Sequence, residues 1–460
     1  MTRRALRLGL VAGILVAALA DASPASAHGI GGRIDLPVPI SLFIWGATAV
    51  LVVSFVALGV LWTRPRFETP RPGRPLPDSI QRILTSRTLE WLVRAGALGL
   101  FLVVAAAAAA GEDTTSGNLA PLFIYVWVWV GLAFAHALFG NLWATISPFD
   151  SLARLLSIGD RPRRPYPKAW GKWPGALLLF GFVWLELAHP SGSSPRVLAL
   201  AIAAYTVGTL SGMAVFGRDS WNQNGEAFAV YFGLFSLISP FGRDSEGRAV
   251  LRPPLSGLAT VRPQPGLVPF LMVSIGSTSF DGFSASDMWL RATGTLGRGA
   301  RALADTGGLV GMVLLVSLAY VLAMTAAAAL VRQPRNWHPL AVRFVHSLVP
   351  IAFAYAAAHY FSLLVLEGQQ GLRLLSDPFG EGWNLLGTAG YQLNLTLLSA
   401  NAIWLVQVAA IVAGHVAGVV LAHDRSVAIF HADIAVRSQY VLLAIMVMFT
   451  IGGLLILSGA

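Results

Sequence analysis

No cysteine occurs among the 460 residues of the chain. This absence excludes disulfide bonds, thiolate metal sites and cysteine nucleophiles, so a metal could be held only by histidine, carboxylate, methionine or backbone groups. Neither an H-x-H nor an H-E-x-x-H motif is present, and no internal repeat is evident. The chain therefore lacks the dense ligand motifs by which many metal-dependent hydrolases are identified from sequence.

Charged residues are also scarce. They make up 12% of the chain, against about 25% in a typical soluble domain, whereas hydrophobic residues make up 55% and the mean hydropathy is +0.67. Several apolar runs reach the roughly 20 residues that a helix needs to cross a bilayer, and unpaired backbone is too costly in lipid for loops or open sheets. We therefore predict an all-α integral membrane protein, a bundle of about ten transmembrane helices in which one or two central helices are short or broken.

The first 27 residues have the three-part organisation of a secretory signal peptide. Three arginines lie within the first seven residues, an apolar stretch follows at 8–20, and the small-residue sequence A-S-A ends at Ala27. The apolar stretch is short for a spanning helix, which favours a cleavable signal peptide at 1–27 over an uncleaved anchor. Cleavage after Ala27 makes His28 the first residue of a single polytopic transmembrane domain, 28–460.

Basic residues predict the orientation of the bundle. The net charge of +10 comes mainly from loops between spans, so it indicates membrane orientation rather than a nucleic-acid partner. Arginines and lysines are concentrated in the loops 63–90 and 146–173, which are predicted inside, whereas the loop 111–120 has none and is predicted outside. We predict a bacterial plasma-membrane protein with both mature ends outside and spans at 38–62, 91–110, 121–145, 174–190, 196–216, 307–331, 344–367, 397–423 and 440–458.

The central part of the chain contains two further apolar segments, 226–241 and 266–280, which are short for spans. Because the loop at 332–343 is basic and therefore predicted inside, an odd number of crossings must lie between 217 and 306. We predict that one short segment crosses the membrane and that the other is re-entrant or a broken helix. Such helices often line binding sites at membrane depth.

Ionisable residues within spans are costly, so each marks a candidate site. His359 and Glu367 are predicted on one broad helix face near the outer membrane surface, and Glu186 and His189 form a Glu-x-x-His pair at the end of another span. With His28, these residues form a predicted outer group of metal ligands. Their mixture of imidazole and carboxylate favours a divalent transition metal, namely zinc, manganese, iron or copper.

Two acidic residues beside the short central segments are candidate catalytic groups. Asp281 follows the second segment and could act as a base or orient a water molecule, and Glu226 begins the first segment. Each carboxylate has a structural alternative, because acidic residues also cap the positive end of a helix. Elsewhere, Gly414 and Gly418 flank His415 in a small-xxx-small pattern, which predicts close approach of another helix.

The chain resembles a family of multi-pass bacterial membrane proteins labelled fenitrothion hydrolase. The resemblance rests on "HGIGGRIDLPVP", "VSFVALGVLW", "GEAFAVYFGL", "RPPLSGL", "SFDGFS", "AHYFSLLVLEGQ", "LLSDPFG", "HVAGVVLAHDR" and "RSQYVLLAIMVMFT", which are spread over most of the mature chain. The family label implies hydrolysis of an aryl phosphorothioate triester with release of a nitrophenol. It brings no assigned catalytic residues to this sequence.

Three functions are compatible with these observations. The first is a membrane-embedded, metal-assisted hydrolase of lipophilic organophosphate esters, with the bilayer and a small lipophilic substrate as its partners. The second is a transporter or permease, which the number of spans and the short central segments favour. The third is a copper-handling or oxidative protein, in which the α-amine and imidazole of a mature N-terminal His28 bind the metal.

Overall fold

The computed structural model describes residues 39–68, 73–331 and 337–458. The predicted signal peptide and His28 lie outside the described residues. The described helices are, in chain order, α1 Ile40–Leu61, α2 Asp78–Leu84, α3 Arg87–Ala110, α4 Leu119–Phe139, α5 Trp143–Ile146, α6 Pro148–Leu155, α7 Trp173–Leu187, α8 Pro195–Phe216, α9 Arg218–Asn224, α10 Ala227–Ser236, α11 Leu267–Ser284, α12 Asp287–Thr293, α13 Arg298–Leu330, α14 Trp337–Phe344, α15 Val349–Leu366, α16 Gln370–Ser376, α17 Ala400–Ile429, α18 Ala432–Arg437 and α19 Tyr440–Ser458.

Eight helical segments within the described part of the chain are long and apolar enough to cross a membrane. They contain α1, α3, α4, α8, α13, α15, α17 and α19, and they make the chain a multi-pass, all-α membrane protein, as the sequence predicted. The remaining apolar helices α7 and α11 have 15 and 18 residues. At about 1.5 Å per residue, these two helices are roughly 22 and 27 Å long.

Two of the helix ends that differ from the predicted span boundaries do so for identifiable reasons. The third span ends at Phe139 rather than at 145, because Gly140 adopts a positive φ of 89° that terminates the helix. The sixth begins at Arg298 rather than at 307, so that α13 has 33 residues. In its first turns, Arg301 Nε forms a salt bridge with an Asp305 carboxylate oxygen at 2.9 Å. Such i,i+4 salt bridges stabilise the helix beyond the apolar stretch.

A backbone contact between two loops fixes the level at which α7 and α11 begin. The Lys172 N–H donates to the carbonyl of Pro265 over 2.7 Å. Gly171 and Gly266, with φ of 45° and 77°, allow the chains to approach, since a Cβ on Gly171 would lie 2.2 Å from the Pro265 oxygen. We call this contact the 171–266 clasp. It places the first residues of both helices side by side, and the two helices then pack along each other in the same direction.

The short helix α10 is too short to cross a bilayer. At 10 residues it is about 15 Å long. It begins after Gln223, whose carbonyl accepts from Lys172, and it is followed by Ser239, whose hydroxyl donates to Leu138 at the end of α4 over 2.9 Å. Lys172 and Leu138 lie on the same side of the bundle, because no spanning helix separates α4 from α7. In the described structure, α10 therefore begins and ends on one side of the bundle, and α11 is the longer of the two central helices.

Three strands of two or three residues lie on that same side. They are β1 Arg74–Pro75, β2 Phe241–Arg243 and β3 Ala249–Leu251, and they form an antiparallel sheet in the order β1-β3-β2. The sheet joins the loop after α1 to the loop after α10. We call this side of the bundle, with its loops 62–86 and 140–172, the arginine-rich face.

Helices α15 and α17 approach closely at the glycines of the small-xxx-small pattern. A Cβ on Gly414 would lie 2.1 Å from the Ala354 Cβ and 2.8 Å from the Pro350 carbonyl, and one on Gly418 would lie 2.9 Å from Ile351. Neither neighbour of Gly414 is a flexible side chain, so a methyl group there would force the helices apart. The glycines therefore allow a contact that holds α15, the helix of His359, against α17.

We predict that Gly414→Ala lowers the stability of the folded protein, because overpacking of a tight contact costs about 1–3 kcal/mol. Gly452→Ala is the matched control, since Gly452 is also helical and a Cβ added there would meet no atom within 4 Å. The measurement is thermal unfolding of both variants in detergent. Equal melting temperatures for the two variants would contradict the close α15–α17 contact.

Candidate functional site

The structure brings together two of the sequence-predicted residues, His359 of α15 and Asp281 of α11. Their side chains form an ion-pair contact in which His359 Nε2 lies 2.9 Å from an Asp281 carboxylate oxygen. About a quarter of each side chain is exposed, 25% and 26% respectively. The pair is thus neither sealed in the core nor freely solvated, which is a suitable setting for proton transfer.

The 171–266 clasp explains why a second carboxylate, Glu186, lies at the same depth. Glu186 is the fourteenth residue of α7 and Asp281 is the fifteenth residue of α11, and the two helices start together. The two carboxylates are close enough for electrostatic interaction. Within the described structure, Glu186 Oε2 is buried and has no hydrogen-bond partner.

Tyrosines complete the polar cluster around these carboxylates. The Tyr360 ring centroid lies 4.7 Å from that of His359, and Tyr360 is close enough to Asp281 for electrostatic interaction. The Tyr231 ring of α10 stacks on Trp129 at a centroid distance of 4.4 Å. Asp281 therefore has the imidazole as a hydrogen-bond partner and a phenol nearby.

The hydrogen bond between His359 and Asp281 determines what the imidazole can do. An ionised carboxylate can only accept hydrogen bonds, so Nε2 carries the proton in this contact. In the neutral ring, Nδ1 is then the basic nitrogen, and Asp281 stabilises the positive charge that develops when Nδ1 takes up a proton. The pair consequently has the components of a general base with its orienting carboxylate.

A crevice of about 20 Å³ opens beside His359, between α11, α15, α17 and α19. Its polar lining comes from Thr278, Ser279, Tyr355 and His359, and its apolar lining comes from Ala358, Ile411, Gly453, Ile456 and Leu457. A space of this size accommodates about one water molecule, provided that polar groups are within reach. The crevice therefore offers one water-sized position next to a base, within largely apolar surroundings.

Glu367 does not join this site. The helix α15 ends at Leu366, and Glu367 begins a 3-10 turn in which Gln370 Nε2 donates to its carboxylate. The predicted common helix face of His359 and Glu367 is therefore interrupted one residue before Glu367. The sequence predicted an unbroken helix to 367, and the tighter 3-10 turn changes the direction of the side chain.

His189 is also separated from the site. Because α7 ends at Leu187, the Glu-x-x-His spacing does not place His189 on the helix face that carries Glu186. Its ring packs edge-on against Trp184 at 5.5 Å, and Nδ1 accepts from the Ser191 N–H over 3.2 Å. His189 therefore lies just beyond a helix end, directly before Pro190.

Glu226 is a helix cap. Its carboxylate accepts from the N–H groups of Phe228 and Ala229 at the first turn of α10, at 3.0 and 2.6 Å. The Trp143 indole donates to it over 2.9 Å, and the Tyr205 hydroxyl donates to it as well. With all four contacts satisfied in a buried position, the capping alternative accounts for Glu226.

The predicted metal ligands do not converge. Within the described ranges, no three histidine, aspartate or glutamate side chains form a group that could hold a metal ion. His359 and Asp281 face each other, Glu186 lies near Asp281, and Glu367 and His189 point elsewhere. His28 lies outside the described residues, so the metal remains a prediction that the described donors do not support.

Sequence reasoning did not single out Tyr360, whose ring lies against that of His359. It directly follows His359 in "AHYFSLL", and an aromatic residue on an apolar helix gives no signal of polar function by itself. Asp281 was expected after the end of its segment, but α11 continues to Ser284, so that Asp281 lies inside the helix. Comparisons with protein-family models, with curated proteins and with solved structures found no match for this chain.

We predict that Glu226→Ala destabilises the fold, because it leaves buried donors unsatisfied at a cost of about 1–3 kcal/mol each. Glu226→Gln, which retains one acceptor oxygen, should lose less stability. Glu246→Ala is the control, because Glu246 is on an exposed turn. Thermal unfolding in detergent gives the order of stability of the three variants. A Glu226→Ala variant that melts at the same temperature as the control would contradict the capping role.

Proposed function

We propose that this chain is a membrane-embedded hydrolase of lipophilic organophosphate esters, with aryl phosphorothioate triesters as its substrate class. The observation that carries the proposal is the His359–Asp281 pair beside a water-sized crevice within the helix bundle. The family resemblance supplies the substrate class. We further place the chain in the bacterial plasma membrane, with the arginine-rich face inside and the His359–Asp281 pair toward the outer surface.

In the proposed reaction, His359 acts as general base on a water molecule in the crevice. The base removes one proton from the water as its oxygen forms a bond to phosphorus. The bond between phosphorus and the aryl oxygen breaks, and the nitrophenolate departs with the electron pair. The proton on His359 then passes to the phenolate or to solvent, so that the products are a dialkyl phosphorothioic acid and a nitrophenol. Asp281 is the positioning residue, since it orients the imidazole and stabilises its charge.

The surroundings of the pair suit a lipophilic substrate. Ile411, Ile456 and Leu457 line the crevice on the side of α17 and α19. An aryl ester that partitions into the bilayer could reach this apolar wall without first entering water, and apolar contact favours its binding. The low polarity also strengthens the electrostatic effect of Asp281 on His359.

The proposed reaction requires no metal ion. The described donors do not form a ligand set, and the general-base reaction needs only a base and water. A metal held partly by His28 would activate a different water molecule. The general-base mechanism requires His359 as the base, whereas the metal mechanism does not require it in that role.

A second candidate, a proton-coupled permease, is favoured by one observation. Glu186 Oε2 is a buried carboxylate oxygen without a hydrogen-bond partner in the described structure, and it lies near the Asp281 carboxylate. Carboxylates of this kind carry protons in many transporters. Uptake by proteoliposomes with an imposed proton gradient separates this function from hydrolysis.

We predict that His359→Gln lowers kcat for a nitrophenyl phosphorothioate triester by about 100- to 10,000-fold, the usual range for loss of a general base. The measurement is nitrophenol absorbance with purified protein in nanodiscs. His189→Gln is the matched control, because His189 lies outside the pair. Activity that survives in His359→Gln but is abolished by a chelator would contradict the proposed base and favour a metal site.

We also predict that Asp281→Asn lowers kcat with little change in KM, because an amide orients the imidazole but cannot stabilise its charge. Asp281→Glu should restore part of the rate, since the carboxylate is retained. The measurement is steady-state kinetics with thermal unfolding of each variant as the folding control. Equal loss of rate in the Asn and Glu variants, with unchanged folding, would mean that the charge of Asp281 has no catalytic effect.

A further inference from the structure

A second cavity, of about 560 Å³, opens at the arginine-rich face. Its walls are formed by the segment 141–154, by Lys172 before α7, by α9 and by the loop 260–267, and one face of α10 forms its floor. Lys172 and Glu186 lie at opposite ends of α7, about 20 Å apart along the helix. The cavity is thus distinct from the His359–Asp281 pair, and its volume is typical of small-molecule sites.

Two amide side chains, those of Asn222 and Gln264, also line the cavity. The Asn222 amide is positioned by its Nδ2, which donates to Asp150 over 3.1 Å. Side-chain amides both donate and accept hydrogen bonds, so they are suitable partners for the hydroxyl groups of a ligand.

The cavity wall is also electropositive. Arg154, Lys172 and Arg262 line it, against the carboxylates of Asp150 and Asp219. The Asp150 charge is already compensated, by Arg94 at 2.9 Å and Arg154 at 2.8 Å, with Arg218 at 3.3 Å.

Neither Lys172 nor Arg262 pairs with a carboxylate in the described parts of the chain. The Lys172 ammonium donates only to a backbone carbonyl, that of Gln223, and burial lowers its pKa to about 8. An anion in the cavity would supply the missing negative charge.

The floor of the cavity is apolar. Val230, Leu234 and Leu237 contribute side chains from α10, and Gly233 lies among them. A Cβ on Gly233 would meet no atom within 4 Å, so this glycine leaves room rather than permitting a tight helix contact. The floor suits a short carbon skeleton lying across Gly233.

We propose that this cavity binds a polyol phosphate group, an anionic phosphate flanked by hydroxyl groups. The phosphate contacts Lys172 and Arg262, the hydroxyls hydrogen bond with the side-chain amides of Asn222 and Gln264, and the carbon skeleton lies on the floor at Gly233. The same group occurs in free glycerol 3-phosphate and in the headgroup of phosphatidylglycerol. The site is independent of the proposed hydrolysis, because no cavity residue belongs to the His359–Asp281 pair.

The lysine content of the chain provides a direct test, because Lys168 and Lys172 are its only lysines. Lys172 lines the cavity and Lys168 is exposed nearby, so Lys168 is an internal control. The purified full chain in phosphatidylcholine nanodiscs is treated with a sulfonated acetylating reagent, and both sites are quantified by peptide mass spectrometry. We expect glycerol 3-phosphate to slow acetylation of Lys172 at least 5-fold without affecting Lys168.

Two variants locate the binding. Gly233→Leu should abolish the protection by filling the floor, whereas Gly181→Leu, at another open helical glycine on α7, should retain it. Gln264→Glu should reduce the protection from at least 5-fold to less than 2-fold, because it adds a negative charge while the shape of the side chain is nearly unchanged. Unchanged melting temperatures of the variants confirm that they are folded.

Further measurements distinguish a lipid headgroup from a soluble ligand and show which results would contradict the proposal. Protection in phosphatidylglycerol nanodiscs without added glycerol 3-phosphate identifies the lipid headgroup as a source, and protection by the soluble compound alone identifies a soluble ligand. Protection by inorganic phosphate equal to that by glycerol 3-phosphate would overturn the assigned hydroxyl contacts. Equal protection of Lys168 and Lys172, or protection of neither by glycerol 3-phosphate and phosphatidylglycerol, would overturn the site.

Discussion

The 171–266 clasp is the constraint on which the positions of the polar groups depend. It consists of one backbone hydrogen bond of 2.7 Å and two glycines whose positive φ lets the loops approach. Because a helix is a nearly rigid rod, fixing the start of α7 and α11 also fixes which residues are level farther along. Glu186 and Asp281 therefore become neighbours near one membrane face, while Lys172 and Gln264 become neighbours at the other. A bulkier residue at position 171 would collide with the Pro265 backbone. It would thereby displace the pairing of residues at both ends of α7 and α11.

The cost of burying charge explains how the carboxylates are arranged around this frame. An unpaired ionised group in a low-dielectric interior is strongly disfavoured. Asp150 is surrounded by arginines, Glu226 accepts from two backbone N–H groups and two side chains, and Asp281 pairs with His359. Glu186 is less fully compensated, since one of its oxygens is buried without a partner. The first two arrangements stabilise the fold, whereas the Asp281 arrangement also leaves a quarter of each partner exposed.

The membrane class and most helices could be predicted from apolar length alone, because in lipid a continuous apolar stretch must be helical. The predicted outer group also contained His359 and Glu186, both of which the structure places near Asp281. The spacing argument failed for Glu367 and His189, because each lies just beyond the end of its helix, and a 3-10 turn or a proline there breaks the angular relation that spacing assumes. The wall of the cavity at the arginine-rich face comes from four segments that are separated in the sequence, so no local sequence pattern could indicate it.

The apolar crevice beside His359 also bears on how the proposed reaction would proceed beyond bond cleavage. The proposed substrate is a neutral triester that partitions into the bilayer, whereas loss of the aryl group would yield an acid that ionises to an anion in water. Transfer of a charged group into apolar surroundings is costly, so contact with the apolar side chains of Ile411, Ile456 and Leu457 beside the crevice would favour the triester over the ionised product. The same surroundings that bring in the ester would thus promote release of the product toward water. With a lipophilic substrate and an ionic product, a base inside the membrane would favour entry of the substrate from the bilayer and release of the product to water. A water-filled active site would lack this preference.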